Sequence, residues 1–583
     1  MNAKFFHSKG FVKLPEVLIL GCILSILILK FHLLYLININ WDEFTFLSVV
    51  YAYNNGALGT PFFSFHVHFF DWLPLVSNNE VGQIFAARVV IYFLQLGSYI
   101  FIYVIGRIFL PRPPALFSVL CYLSFSNIIE HGTSFRFDPI CVFLFLPSIY
   151  IILKRPNSII FTVISGMFMA LSLMISIKAI IHVFTILTVF LLLLIISKNN
   201  RKVITDLIIF FITILTGFFL LYLYHSQTMK IAKHLENINQ LPTVATKVLE
   251  FGSFVPRRID LLFSVFENFF IWFFLVSGII ITCYKIIISE DRGGNADVLI
   301  LSFAVPLLSL IIYKFAYPYF YVFMLSLPII YCGVYLENLY ENARRNRSSI
   351  SIVLIIISIV FVFINHLIYF KINSFDQNES QKEIVETVHK IFPNSVPYID
   401  RCSMISSYPK VGLQMTAFDL EQYIKANTPI MKNILFRDEP VFLIANIGLL
   451  DLSLPKEKAR TIGDYSLLEE DFITLKANFV YHWGHLYVAG KHFNFGTHAK
   501  SQEFEVLIPG NYTIEAGMEI LINGTVYLPG DKVYLEKRRY TITSRTIPLE
   551  VTLRWGENLS KPVYDPSDQP IFFGFYWRRG VFP

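Results

Sequence analysis

Of 583 residues, 55% are hydrophobic and 15% charged, a balance that excludes an ordinary soluble globular chain and points to an integral membrane protein. The formal net charge of +6 is no argument for a nucleic-acid partner, because the basic residues sit mainly in short connections between apolar segments. Of the six cysteines only Cys402 lies beyond the apolar part, so no disulfide framework is expected in the aqueous region.

Lys4, Lys9 and Lys13 precede an apolar run with no small-residue cleavage site after it, and the run is expected to persist as a first helix. With roughly 20 apolar residues needed per crossing, spans are expected near residues 17–37, 85–105, 115–129, 140–153, 159–177, 179–196, 203–224, 261–284, 298–313, 319–335 and 350–369. That is about eleven. Basic residues recur in alternate connections: Arg107 and Arg112; Lys154 and Arg155; Lys198, Arg201 and Lys202; Lys285 and Arg292; Arg344, Arg345 and Arg347. The positive-inside rule makes those connections and the N-terminus cytoplasmic, and an odd span count puts the C-terminal region outside. Segments 38–85, 130–138, 225–260 and 314–318, with Lys178, then share its compartment.

The expected division is a polytopic α-helical membrane domain over residues 1–370, an extracytoplasmic α/β region over 371–503, and a β-rich module over 504–583. The helical pattern of Ile384, Val385, Val388 and Ile391 and the short apolar runs at 396–399 and 441–447 suggest the α/β region. Beyond Phe504 the alternation has period two, with turns at Asn523-Gly524 and Pro529-Gly530-Asp531, as in a β-sandwich.

Candidate chemistry gathers at one set of helix ends. Trp41-Asp42-Glu43-Phe44 follows the first apolar segment, where an acidic pair is costly without a task. Asp42 is suited to act as general base toward a hydroxyl or amine, or to cap a helix through Phe46, Val49 and Val50. The loop from Glu130 and His131 to Arg136 and Asp138-Pro139 offers two acids, a histidine and an arginine; Asp138 also fits a helix start. Lys178, Lys314 and Arg88 are cations suited to a phosphate leaving group or to snorkelling. Tyr317, Tyr319 and Tyr321 suit sugar stacking or an interfacial belt. His66-Val67-His68 with Asp71 would set two imidazoles on one face of a strand, for substrate contact or a divalent metal. Glu80 reads as a first-turn acid. No P-loop or dinucleotide fingerprint occurs, so a soluble nucleotide has no visible site.

Taken in order, Asp42-Glu43, the long first outer loop, Arg136-Phe137-Asp138-Pro139, Lys178 and Lys314-Phe315-Ala316-Tyr317-Pro318 resemble the GT-C superfamily of membrane glycosyltransferases, within it the protein O-mannosyltransferase and aminoarabinose transferase branch. The resemblance implies a polyprenyl-phosphate sugar donor and an inverting single displacement. It matches Asp42 to the family's catalytic acid with Glu43 beside it, Asp138 to the acid of the second loop, and Lys178 and Lys314 to cations near the donor phosphate. It implies no required cofactor, a divalent metal being optional, and a bacterial inner-membrane setting with a periplasmic C-terminal domain. Where the aminoarabinose transferases continue with a Lys-Pro-Pro turn, this chain has Phe65-His66-Val67-His68-Phe69, so the acceptor, whether glycan, lipid or protein, does not carry over. A transporter or flippase is the rival reading; it would place ionisable residues in mid-helix, where Lys30 and His32 are the chief examples.

Overall fold

The computed structural model describes residues 9–59, 61–154, 158–197, 199–228, 254–288, 295–346, 348–375, 378–454, 466–496, 500–545, 549–563 and 571–572. The chain forms two compact units: Met1–Ile37, Ala52–Leu73 and Phe85–Asp376 in one, Asn38–Tyr51, Pro74–Ile84 and Gln377–Pro583 in the other. Two segments of the first outer loop therefore belong to the same unit as the C-terminal region.

Among the described residues of the membrane unit, seven helices are long and apolar enough to cross a bilayer: Leu14–Leu33, Glu80–Phe109, Phe137–Lys154, Ile177–Ile196, Asn200–Thr228, Phe269–Ile288 and Ser349–Asn373. Ile159–Ile175 and Val298–Ile312 are apolar but shorter. Two expected spans are broken. The stretch at 115–129 forms helices Arg112–Ser124 and Ser126–His131, with Phe125 extended between them. Polar groups compensate the break, as hydrocarbon requires: the Ser126 N–H donates to Asn268 Oδ1 at 2.7 Å and Asn365 Nδ2 donates to the Ser124 carbonyl at 3.0 Å. The stretch at 319–335 forms Phe320–Met324 and Ile330–Asn346, with Pro328 between them. Proline lacks the N–H that a continuous helix would use there.

Small residues let helices approach. A Cβ on Gly166 would lie 2.7 Å from Thr213 Cβ, and one on Gly217 would lie 3.0 Å from Ala170 Cβ, which closes helix Ile159–Ile175 onto Asn200–Thr228. The outer face of Asn200–Thr228 stays apolar, with Ile212 and Leu215 more than half exposed; that suits lipid, not water.

The second unit carries eleven strands among its described residues: β1 (Tyr398–Ile399), β2 (Phe442–Ile444), β3 (Phe479–Trp483), β4 (Leu486–Phe495), β5 (Ser501–Glu505), β6 (Gly510–Ala516), β7 (Ile520–Ile522), β8 (Thr525–Tyr527), β9 (Lys532–Leu535), β10 (Arg539–Ser544) and β11 (Leu549–Trp555). A seven-stranded sheet runs β1-β2-β4-β11-β6-β9 with β3 also on β4, and a four-stranded sheet runs β5-β10-β7-β8. The two sheets share one core, Phe493, Phe495, Ile514, Val551 and Leu553 from the larger, Phe504, Ile520, Ile522 and Ile542 from the smaller, as in a sandwich. Because β4 pairs with β11, one sheet runs continuously across the composition change near residue 503. Asn523 and Gly524 both take positive φ, 47° and 85°, as the two-residue hairpin between β7 and β8 demands.

Candidate functional site

Helix Trp41–Asn54 opens with both acids in its first turn. Asn40, not Asp42, is the cap: its Oδ1 accepts the Asp42 N–H at 2.9 Å, while Glu43 Oε1 accepts the Asn40 N–H at 3.0 Å. This reciprocal arrangement satisfies helix-end donors in the manner of a capping box. It corrects the expectation that Asp42 caps, and it divides the pair, since Glu43 is fully buried in that duty whereas Asp42 is half-buried.

The turn after β1 is stitched to this helix within the same unit. Thr45 Oγ1 donates to the Cys402 carbonyl at 3.1 Å, Ser406 Oγ donates to the Phe44 carbonyl at 3.0 Å, and Gln414 Nε2 donates to Thr45 Oγ1 at 3.1 Å. Arg401 lies 3.8 Å above the Trp41 ring. Burial and the Asp400 carboxylate push the Cys402 thiol up, with Asp42 adding to the rise. Glu80 is more than a first-turn acid: it accepts from the Ser407 N–H at 3.1 Å and Ser407 Oγ at 2.6 Å, and its other oxygen is 3.0 Å from His389 Nε2.

In the membrane unit, helix Phe137–Lys154 begins with Asp138 in its first turn, and the carboxylate does more than terminate a helix. Its two oxygens lie 3.5 Å from Arg136 Nε and 3.5 Å from Lys178 Nζ. Both cations rest on one ring, Arg136 at 3.8 Å and Lys178 at 4.9 Å from the Tyr319 centroid. Tyr319 stacks on Tyr317 and Tyr317 on Phe315, at 5.8 Å and 6.4 Å. Arg257 lies 4.0 Å over Tyr317, hydrogen-bonds its hydroxyl, and donates to the Lys314 carbonyl at 3.1 Å. Three cations and one carboxylate thus line an aromatic ladder, each cation–ring contact worth about 0.5–2 kcal/mol according to desolvation. Lys314 Nζ lies 5.6 Å from the Phe315 ring, and His131 stands edge-on to Tyr319 at 6.3 Å with Nε2 3.8 Å from Glu130.

Arg88 is placed differently. It is buried and donates to the Leu34 and Ile37 carbonyls at 2.9 and 2.8 Å, satisfying orphan acceptors after helix Lys9–Leu33. His66 and His68 are not on a strand. They lie in and just before a single helical turn, Val67–Phe70: His66 is buried edge-on to Phe135 and Phe137, and His68 Nε2 bonds His225 Nδ1 at 2.8 Å. Burial pulls the His68 pKa down, opposed by Asp71, and His225 continues to Ser64 Oγ at 2.8 Å. Among the described residues no three His, Cys, Asp or Glu side chains converge in metal-binding geometry, so the set does not fit a divalent ion as expected from His66, His68 and Asp71.

Sequence reasoning treated Arg257 as part of a basic interfacial loop and did not single out Arg401. Arg257 had a signal, as a cation in an outer segment; most of that segment, 229–253, lies outside the described residues. Arg401 had none, because nothing in local spacing links it to Trp41.

No protein-family model matches the sequence, and no curated protein matches it either. Solved structures do. The archaeal oligosaccharyltransferase AglB from Archaeoglobus fulgidus, in complex with an inhibitory peptide and a dolichol-phosphate, superposes with a TM-score of 0.53 at 9% identity, over 89% of this chain and 76% of that one. ArnT from Cupriavidus metallidurans bound to undecaprenyl phosphate gives 0.51 at 12% identity, over 73% of this chain and 92% of that one. The A. fulgidus oligosaccharyltransferase in complex with Zn and sulfate gives 0.51 at 11% identity, over 82% and 72%. At such identities the likeness is one of fold: these neighbours are GT-C glycosyltransferases, and this integral membrane chain has a GT-C-like fold.

Proposed function

We propose that the chain is a membrane glycosyltransferase that moves a sugar from a polyprenyl-phosphate donor to an acceptor on the extracytoplasmic face. The observation that carries this reading is the pair of cations bridged by Asp138 on the Tyr319 ring, set in a fold whose solved relatives were captured with dolichol-phosphate and undecaprenyl phosphate. Arg136 and Lys178, with Arg257 and Lys314 beyond them along the ladder, would hold the donor phosphate and stabilise it as it departs. Tyr317 and Tyr319 would present ring faces to the donor.

Asp42 is assigned as general base. In this reading Asp42, at the start of the helix that Asn40 and Glu43 cap, takes the acceptor proton as the acceptor oxygen or nitrogen attacks the anomeric carbon and the bond to phosphate breaks. The result is inversion. A polyprenyl phosphate needs no protonation to leave, so no general acid is assigned, and no step passes through a metal. Glu130, His131, His66 and His68 are the remaining candidates for substrate contact in the outer loops. The transporter reading loses its chief support at Lys30, which is buried and bonded to Tyr99 Oη at 3.0 Å and the Ile128 carbonyl at 2.8 Å, a local structural duty.

The test is release of polyprenyl phosphate from a panel of lipid-phosphate sugars by the purified chain in lipid, with Asp42→Asn beside the wild type. Release by the wild type that falls by about 10²–10⁴-fold in the variant, with donor binding retained, is the expected result. Equal release by both would remove Asp42 from the mechanism.

A further inference from the structure

Resting on the donor-phosphate reading of the Arg136, Asp138 and Lys178 cluster, we infer that Lys30 is a positioning residue for that site, its amine fixing the root of the loop that carries Arg136 and Asp138. Lys30 stands in the last turn of helix Lys9–Leu33 and is fully buried. An amine sunk in a membrane helix is costly unless it has partners and a task. Its partners are the Ile128 carbonyl at 2.8 Å and the Tyr99 hydroxyl at 3.0 Å. Ile128 belongs to the short helix Ser126–His131, which follows the break at Phe125, and its carbonyl also accepts the Gly132 N–H at 3.0 Å. Position 132 has to stay small for this double acceptance, because a Cβ there would lie 2.5 Å from the Ile128 oxygen and 3.0 Å from Lys30 Nζ. The loop beyond it is short and tight. Ser134 donates to the His131 carbonyl through its N–H at 3.3 Å and its Oγ at 2.8 Å, and the Arg136 N–H donates to the Ser134 carbonyl at 2.8 Å. Every residue from 131 to 138 is buried, and in close-packed surroundings a displacement at the root is passed on, not absorbed.

The second partner of the amine leads to the other half of the same site. Tyr99 stands edge-on to Tyr122 at 5.9 Å, Tyr122 Oη donates to the Val322 carbonyl at 2.5 Å, and the Val322 N–H donates to the Tyr319 carbonyl at 3.3 Å. Tyr319 is the ring on which Arg136 and Lys178 rest. One amine is therefore tied to the loop that bears Arg136 and Asp138 and to the segment that bears Tyr319. Hydrogen bonds to two acceptors on different helices fix their separation in a way that an apolar side chain of the same length, which could fill the space, does not.

The test is binding of polyprenyl phosphate to the full chain in lipid nanodiscs, with the melting temperature of each variant measured in the absence of ligand. Lys30→Met keeps the length of the side chain and removes its donors; affinity is expected to fall about three- to thirtyfold while the melting temperature stays close to that of the wild type. Gly132→Ala attacks the same contact from the other side and should weaken binding in the same direction, and the two changes together should cost less than the product of their separate factors. Lys30→Met should also cost less in an Arg136→Gln background than in the wild type, since the cation it positions is then gone. In the release assay donor KM should rise with the binding constant and kcat should hold within about twofold. Unchanged affinity in Lys30→Met, an equal cost with and without Arg136, or an affinity loss that only tracks the melting temperature across the variants would overturn the inference and leave the donor reading standing. No binding of polyprenyl phosphate by the wild type would overturn the donor reading, and this inference with it.

Discussion

The two units bury their acids in opposite ways. In the C-terminal unit Asp400, Asp471, Glu80 and Glu43 are at most 1% exposed, and each receives at least one backbone N–H: Asp471 from Ile430 and Met431 and also from the Tyr423 hydroxyl at 2.5 Å, Glu80 from Ser407, Glu43 from Asn40. In the membrane unit Asp138 is almost as buried, yet it faces two cations at 3.5 Å that lie on a tyrosine. Backbone donors fix a carboxylate in one state and spend it on the fold. In the function proposed above, the Arg136 and Lys178 side chains would turn from that carboxylate to the donor phosphate. Burial alone therefore does not separate the two kinds of acid; what satisfies each one does.

Asp42 is half-buried where these acids are fully buried, and as the proposed base its substitution should have the largest effect. Asp42→Asn is expected to cost about 10²–10⁴ in turnover, while the helix cap made by Asn40 and Glu43 is kept. Glu43→Gln, which keeps an acceptor oxygen for the Asn40 N–H, should retain most of the activity. A larger loss in Glu43→Gln than in Asp42→Asn, measured by polyprenyl phosphate release, would reverse the division of the pair.

Next in size is a purely structural acid. Asp471→Ala strands the Ile430 and Met431 N–H groups and the Tyr423 hydroxyl, which should lower stability by about 3 kcal/mol or more. Denaturant unfolding of the C-terminal signal would show this, while the KM for donor in the still-folded fraction should not move. In the membrane unit the opposite split is expected. Arg136→Gln or Lys178→Gln should raise donor KM by about tenfold with little loss of stability, since each removes one of two cations from a shared carboxylate. Removing both leaves Asp138 buried beside no cation from this pair, and the double variant should lose more stability than the sum of the singles.

How much of this was legible in the sequence follows the range of the forces involved. Apolar runs of bilayer length located the seven long helices, and hydrophobic alternation with Asn523-Gly524 located the sandwich, because both signals are local. Broken spans were not legible: the kink at Phe125 depends on Asn268 and Asn365, which come from other helices. Arg136, Asp138 and Lys178 were legible as charges at helix ends, but their meeting on Tyr319 is tertiary. The His66-Val67-His68 reading failed because a period-two pattern of two residues cannot tell a strand from a helical turn, and packing against Phe135 and Phe137 chose the turn. Asp42 as a cap failed for a similar reason: Asn40 precedes it by two residues and is as good a cap.

That competition supplies the finest test. Asn40→Ala removes the side chain that accepts the Asp42 N–H and should cost about 1 kcal/mol, the smallest effect considered. Its functional consequence should exceed that share, because the same turn orients Asp42 and Trp41. If Asp42 works from a fixed position, turnover should fall several-fold in Asn40→Ala while donor KM is unchanged, and Asn40→Ser or Asn40→Asp, which cap equally well, should restore it. The helix would then be capped by one polar residue so that its neighbour can act. Turnover that follows stability alone across the three variants would mean that the cap merely holds the helix, and that Asp42 tolerates its loosening.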